Sequence, residues 1–179
     1  MTTNTVPSAD LFDLSGEWID DSPIYLHPNG EEDDATWRVV VQLEPDYDHS
    51  VFDDEFYGQL EWSEFNDYGA VRPDGFDGRA RNIHTRDGVI WWQPPDDLAD
   101  EHLDKAHRTI SDLLEFGFVG VCVDVQELTP NRVGASWVTV GGASLWGIES
   151  TAGQDYFETV ANDLIAEALA EVPTGEPNG

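Results

Sequence analysis

The chain has 179 residues, 40% hydrophobic and 11% aromatic, enough apolar material to bury a core and offset the entropy of ordering the backbone, which argues against wholesale disorder. It carries 8 Lys and Arg against 37 Asp and Glu, a formal net charge of -29, so duplex DNA, RNA and anionic lipid are repelled at long range and direct nucleic-acid binding is disfavoured. No apolar run approaches the roughly 20 residues of a spanning helix, the first ten residues lack the basic start and apolar stretch of a secretory signal, and a lone Cys122 excludes an internal disulfide or a cysteine-cluster zinc site.

Residues 1–34 read as a loosely ordered acidic segment. Leu11-Phe12-Asp13-Leu14 is one anchoring turn, Asp20–Pro23 and Pro28-Asn29-Gly30 are turn clusters, and Glu31-Glu32-Asp33-Asp34 is a like-charge block. A single α+β domain is expected over 35–172. Its first strand is Trp37–Leu43, β-branched and aromatic, stopped by Pro45. From Asp46 to Glu64 acids interleave with Val51, Phe52, Phe56, Tyr57, Leu60, Trp62 and Phe65. Helical and strand periods both fit there. Ala80–Thr85 and Val89–Trp92 flank Arg86-Asp87-Gly88, a hairpin signal, and Gln93-Pro94-Pro95 ends the second strand.

A helix is expected from Asp96 to Phe116, entered through two prolines and two acids. Its stripe is Leu98, His102, Ala106, Ile110, Leu113 and Leu114, and Gly117 stops it. Phe118–Val125 reads as a buried strand. Val133–Val140 returns beside it, Gly141-Gly142 breaks or bulges the run, and Ala143–Ile148 continues it. The last helix spans Gly153–Val172 with a core face of Tyr156, Phe157, Val160, Leu164, Ile165, Ala168 and Leu169, and 173–179 is a flexible tail. The order predicts one antiparallel sheet of about five strands with two long helices packed on one face.

Motifs of chemistry are sparse. Ser144 lacks the G-x-S-x-G spacing and is followed by strand, not helix. Cys122 reads as a buried, inert thiol. His102 and His107 lie five apart, a poor spacing for two ligands on one helical face, and read as a core-edge and a surface histidine. The acids Asp46, Asp48 and Asp53-Asp54-Glu55 lack the glycine and final glutamate of a calcium loop. No glycine pattern fits a phosphate loop, so no cofactor, metal or catalytic residue is assigned.

What remains is surface. The candidate partner-binding acids are Glu31, Glu32, Asp33, Asp34, Asp53, Asp54, Glu55, Glu61 and Glu64. Carboxylates in one contiguous stripe can imitate the phosphates of a duplex, whereas an even coat serves solubility or a salty habitat. Trp91 and Trp92 are adjacent in a strand and so face opposite ways. One enters the core, and the other covers it or anchors a partner.

Several segments taken together carry a resemblance: Asp87-Gly88-Val89-Ile90-Trp91-Trp92-Gln93-Pro94-Pro95, Leu113-Leu114-Glu115-Phe116-Gly117-Phe118, Ser144-Leu145-Trp146-Gly147-Ile148-Glu149, Tyr156 and Asp163-Leu164-Ile165-Ala166-Glu167. Over His84–Val172 the chain resembles small acidic proteins, without an assigned activity, of tailed bacteriophages, mainly of actinobacteria. The resemblance implies a phage or prophage protein in the cytoplasm of a bacterial host. The expected function is a non-enzymatic accessory protein that binds a basic surface of a host protein, as a nucleic-acid mimic of the antirestriction type. The alternatives are a metal-dependent enzyme built on clustered acids, and a structural or assembly adaptor without mimicry.

Overall fold

A computed structural model describes residues 5–66 and 68–173. In chain order the strands and helices are β1 (Ile24–Leu26), β2 (Trp37–Asp46), β3 (Gln59–Trp62), β4 (Glu64–Asn66), β5 (Gly69–Val71), β6 (Arg81–His84), β7 (Val89–Gln93), α1 (Leu103–Phe116), β8 (Phe118–Asn131), β9 (Gly134–Glu149) and α2 (Gln154–Glu171). The nine strands fall into three sheets, ordered β1-β2-β8-β9, β3-β7-β6 and β4-β5. The fold is α+β, but the expectation of one sheet of about five strands with both helices on one face is overturned. The chain divides into two compact units. Of the described residues, the first holds those up to Pro45, Val119–Ile148 and those from Ala152 on; the second holds those of Asp46–Phe118 with Glu149–Thr151.

In the first unit, Val39 and Val41 of β2 and Val121, Val123 and Val125 of β8 meet the α2 stripe Phe157, Val160, Ala161, Leu164, Ile165, Ala168 and Leu169. Counted from Phe157 the stripe falls at i+3, i+4, i+7, i+8, i+11 and i+12, the positions that share one helical face. Tyr156, expected on that face, is half exposed and lies edge-on to Phe157. The N-terminal segment is better organised than its composition suggests. Phe12, Leu14, Ile19 and Leu26 all join this core, and the Gln154 amide grips Ile19. Its Nε2 donates to the Ile19 carbonyl at 2.9 Å, and its Oε1 accepts from the Ile19 N–H at 3.0 Å. Pro45 does not end β2 where expected. β1 pairs only with Val39–Val41, so a missing N–H at Pro45 costs no ladder bond on that side.

β8 and β9 are joined by the two-residue turn Arg132-Val133, a connection that makes the pair antiparallel. Gly141-Gly142 does not break β9. A Cβ at Gly141 would lie 2.5 Å from the Ala168 carbonyl oxygen, so the glycine lets α2 approach the strand. On the sheet face bearing Arg38, the guanidinium lies 4.6 Å from the Tyr25 ring centre and 4.4 Å from that of Trp137, and its Nε donates to Gln126. The tail expected at 173–179 lies, from Thr174 on, outside the described residues.

The second unit has its own apolar centre. Leu103 and Ile110 of α1 pack with Ile83 and Trp92 of β6 and β7, while Leu113 packs with Val51 and Phe118. The hairpin predicted at Asp87-Gly88 forms, with Arg81 opposite Trp92 and Ile83 opposite Ile90. β3 takes the other edge of β7, with Leu60 opposite Trp92. α1 starts later than predicted. Asp96–Ala99 is a turn, followed by a 3-10 turn over Asp100–His102. The Arg79 guanidinium binds the carbonyls of Pro95, Asp96 and Leu98 and so takes acceptors that a helical turn would use. Among the described residues no helix is long and apolar enough to cross a membrane.

Candidate functional site

The structure divides the nine candidate acids between the two units. Glu31–Asp34 form an exposed loop of the first unit, between a 3-10 turn and β2. Asp53, Asp54, Glu55, Glu61 and Glu64 belong to the second unit, and all five are exposed.

The second group is built on a short, well-tied segment. The Asp46 carboxylate, only 8% exposed, accepts the backbone N–H groups of Asp48 and His49 and lies 2.6 Å from the Nδ1 of His49. This ties the chain as it leaves β2. Asp54 caps the 3-10 turn Glu55–Tyr57 by accepting from the Phe56 N–H at 2.9 Å, a role for which a short carboxylate is suited. Gly58 then turns the chain into β3 with φ of 92°, and a Cβ there would lie 2.3 Å from the Gln93 carbonyl oxygen. Glu61 sits on β3 opposite Trp91, and Glu64 on β4 opposite Val71.

Aromatic rings stand among these acids. Tyr47, Phe52, Phe56, Trp62, Phe65 and Tyr68 are all exposed, Phe56 by 79%. Phe52 and Trp62 stack, with centres 6.1 Å apart and planes 17° apart. Gly88 lies under Trp62; a Cβ there would come within 3.3 Å of the indole. No Lys or Arg occurs between Arg38 and Arg72. Among the described residues none of the five carboxylates is in an ion pair.

Of the two tryptophans proposed as anchors, Trp92 is 1% exposed, and its Nε1 donates to the Tyr57 carbonyl at 2.6 Å. It is a core residue and offers no surface. Trp91, on the other face of the strand, is half-buried, and its indole N–H is buried without a hydrogen-bond partner among the described residues. Exposed aromatics near the acids instead include Phe56, Trp62 and Phe65, in a stretch whose period fitted both helix and strand.

Beside this segment runs an open groove of about 890 Å³. One wall is the α1 face, with Lys105, Ala106, Thr109 and Ile110, and the other is Phe56 and Tyr57. Glu55, Asp97 and Glu149 add three carboxylates, and Lys105 is the only lysine of the chain. The Tyr57 hydroxyl donates to Glu149 Oε1 at 2.8 Å. Burial first, and then the Glu149 carboxylate, holds the Tyr57 phenol well above the usual tyrosine range. Aromatic walls with excess carboxylate suit an organic cation. No sequence pattern pointed to this groove, because its residues come from four separated stretches.

The two histidines exchange their expected roles. His102 precedes α1 and is exposed, 3.6 Å from Glu101, while His107 lies against Trp92 with its Nε2 3.1 Å from the Asn82 carbonyl. Cys122 is half-buried rather than buried. It lines a shallow 320 Å³ depression with Glu44 and Asp124. Burial, then Glu44 and Asp124, push its thiol up to about 11. Asp124 is also raised, by burial and then by Glu44. Among the described residues no cluster of three or more His, Cys, Asp or Glu side chains could hold a metal ion.

No protein-family model, curated protein or solved structure matches the chain.

Proposed function

We propose that this chain is a non-enzymatic accessory protein of a phage or prophage, acting in the host cytoplasm, that binds a basic surface of a host protein. The partner class is a protein that itself holds nucleic acid, with the carboxylates standing in for phosphates. The observation that carries the reading is the segment from Tyr47 to Tyr68. Among its described residues are exposed acids in no ion pair with Lys or Arg and exposed aromatics between them, and the segment contains no Lys or Arg. Clustered carboxylates bring a basic partner in by long-range attraction, and exposed rings supply the short-range anchoring that charge alone lacks. The groove extends the same chemistry, since it suits a lysine or arginine side chain.

The test is capture from host lysate at moderate salt. The intact protein is compared with a variant carrying Asp53→Asn, Asp54→Asn, Glu55→Gln, Glu61→Gln and Glu64→Gln. The expected result is a nucleic-acid-binding protein retained by the first, released by duplex DNA and lost from the second. Capture of nothing of that class, or equal capture by both, refutes the proposal.

A further inference from the structure

The four-stranded sheet has two very different edges. At one end β1 is three residues long; at the other β9 runs for 16 residues. A short edge strand is a common way to stop sheets pairing with each other, and so are lysine, proline and charge along the edge. β9 carries none of these before its last residue, Glu149. From Gly134 to Ile148 it has no charged residue and no proline. The uncharged character reaches further, since between Glu127 and Glu149 the one charged side chain is Arg132. In a chain with a formal charge of -29 this is the longest stretch free of acid. It is also mostly exposed: Ile148 alone in β9 is buried, and Val138, Leu145 and Trp146 present 42–43% of their surface.

We infer that β9 is the contact between two copies of this chain, paired edge to edge about a two-fold axis. Charge selects the occupant. Two copies approaching through their acidic surfaces repel, and an uncharged strand is where that repulsion is least. An antiparallel strand pair is also self-complementary about a two-fold, so identical edges satisfy each other's open N–H and C=O groups. Gly147, with φ of 75°, interrupts the extended backbone near the end of β9, and the thirteen residues Gly134–Trp146 before it, at about 3.3 Å each, give an edge roughly 43 Å long, ample for a ladder. The inference does not depend on the basic-partner reading.

Sedimentation equilibrium on the full chain tests it, across micromolar to submillimolar concentration and from low to high salt. The expected species has twice the 19.9 kDa chain mass, and it strengthens with salt as the repulsion is screened. The double variant Val138→Glu, Leu145→Glu sets like charges across the axis and is expected to be monomeric. Val138→Thr, Leu145→Thr keeps the edge neutral and is expected to remain dimeric. Circular dichroism of each variant confirms that it is folded. A monomeric wild type under all conditions overturns the inference, as does a dimer that the glutamates leave intact.

Discussion

Gly141 is where the last turn of α2 meets β9, and it gives a sharp test of the packing described above. A methyl group added there would lie 2.5 Å from the Ala168 carbonyl oxygen and 2.9 Å from Cγ2 of Val172. The carbonyl belongs to the helix backbone, so relief requires the helix turn to move. Overpacking of this kind costs about 1–3 kcal/mol, against a gain of about 0.4–1 kcal/mol from a less flexible unfolded chain. Gly141→Ala is therefore expected to destabilise by about 1–2 kcal/mol. The neighbouring substitution is the control. A Cβ at Gly142 meets Asp124 Oδ1 at 3.2 Å and the Val123 carbonyl at 3.3 Å, and small shifts accommodate both. Gly142→Ala is expected to change stability by no more than about 0.5 kcal/mol. Urea unfolding followed by far-UV circular dichroism reads the difference. With a slope of about 2 kcal/mol/M, the Gly141→Ala midpoint falls by about 0.5–1 M. Equal midpoints for the two variants would refute the close approach of helix to strand.

Gln154→Ala removes both hydrogen bonds to Ile19 and leaves a part-buried N–H and C=O unpaired. The expected loss is about 1–3 kcal/mol, with faster amide exchange at Ile19 as the local readout. Cys122, with its thiol pushed up to about 11, is expected to alkylate slowly near neutrality and about tenfold faster per pH unit between about pH 8 and pH 10; a plateau below pH 9 is the contrary result. Tyr57 holds its phenolic proton more tightly in the folded than in the unfolded chain. Its contribution to stability is therefore complete below the ordinary tyrosine value of about 10 and is lost as pH rises above it. The stability gap between the wild type and Tyr57→Phe is expected to shrink above about pH 10, measured by urea unfolding at each pH. A constant gap argues against the bond to Glu149.

The features legible in the sequence are those that depend on near neighbours. The α2 stripe from Phe157 to Leu169 and the turn at Asp87-Gly88 are periods and turn chemistry, and both lie where the residues placed them. What failed depends on distant groups. The α1 stripe shows that Ile110 and Leu113 must be covered, but not that Ile83, Trp92 and Val51 cover them instead of the valines of β2 and β8. Gly141-Gly142 reads as a break because the helix above it is invisible locally. The delayed start of α1 follows from Arg79, a residue outside the helix. At the candidate site the acids were evident as composition. The exposed rings Phe56, Trp62 and Phe65 were not, because burial depends on what the rest of the fold leaves uncovered.

The division of the chain into units has a consequence for how it is made. β2 and β8 are neighbours in one sheet, yet the ribosome must deliver all of Tyr47–Gly117 between them. Long separations are slow to close, so the nascent first unit waits with β1 and β2 unsheltered while the intervening stretch is translated. A pause or truncation before Val125 would leave Val39 and Val41 without their covering partners, and the dense acidity of the emerging chain is then what keeps such an intermediate apart from others like it.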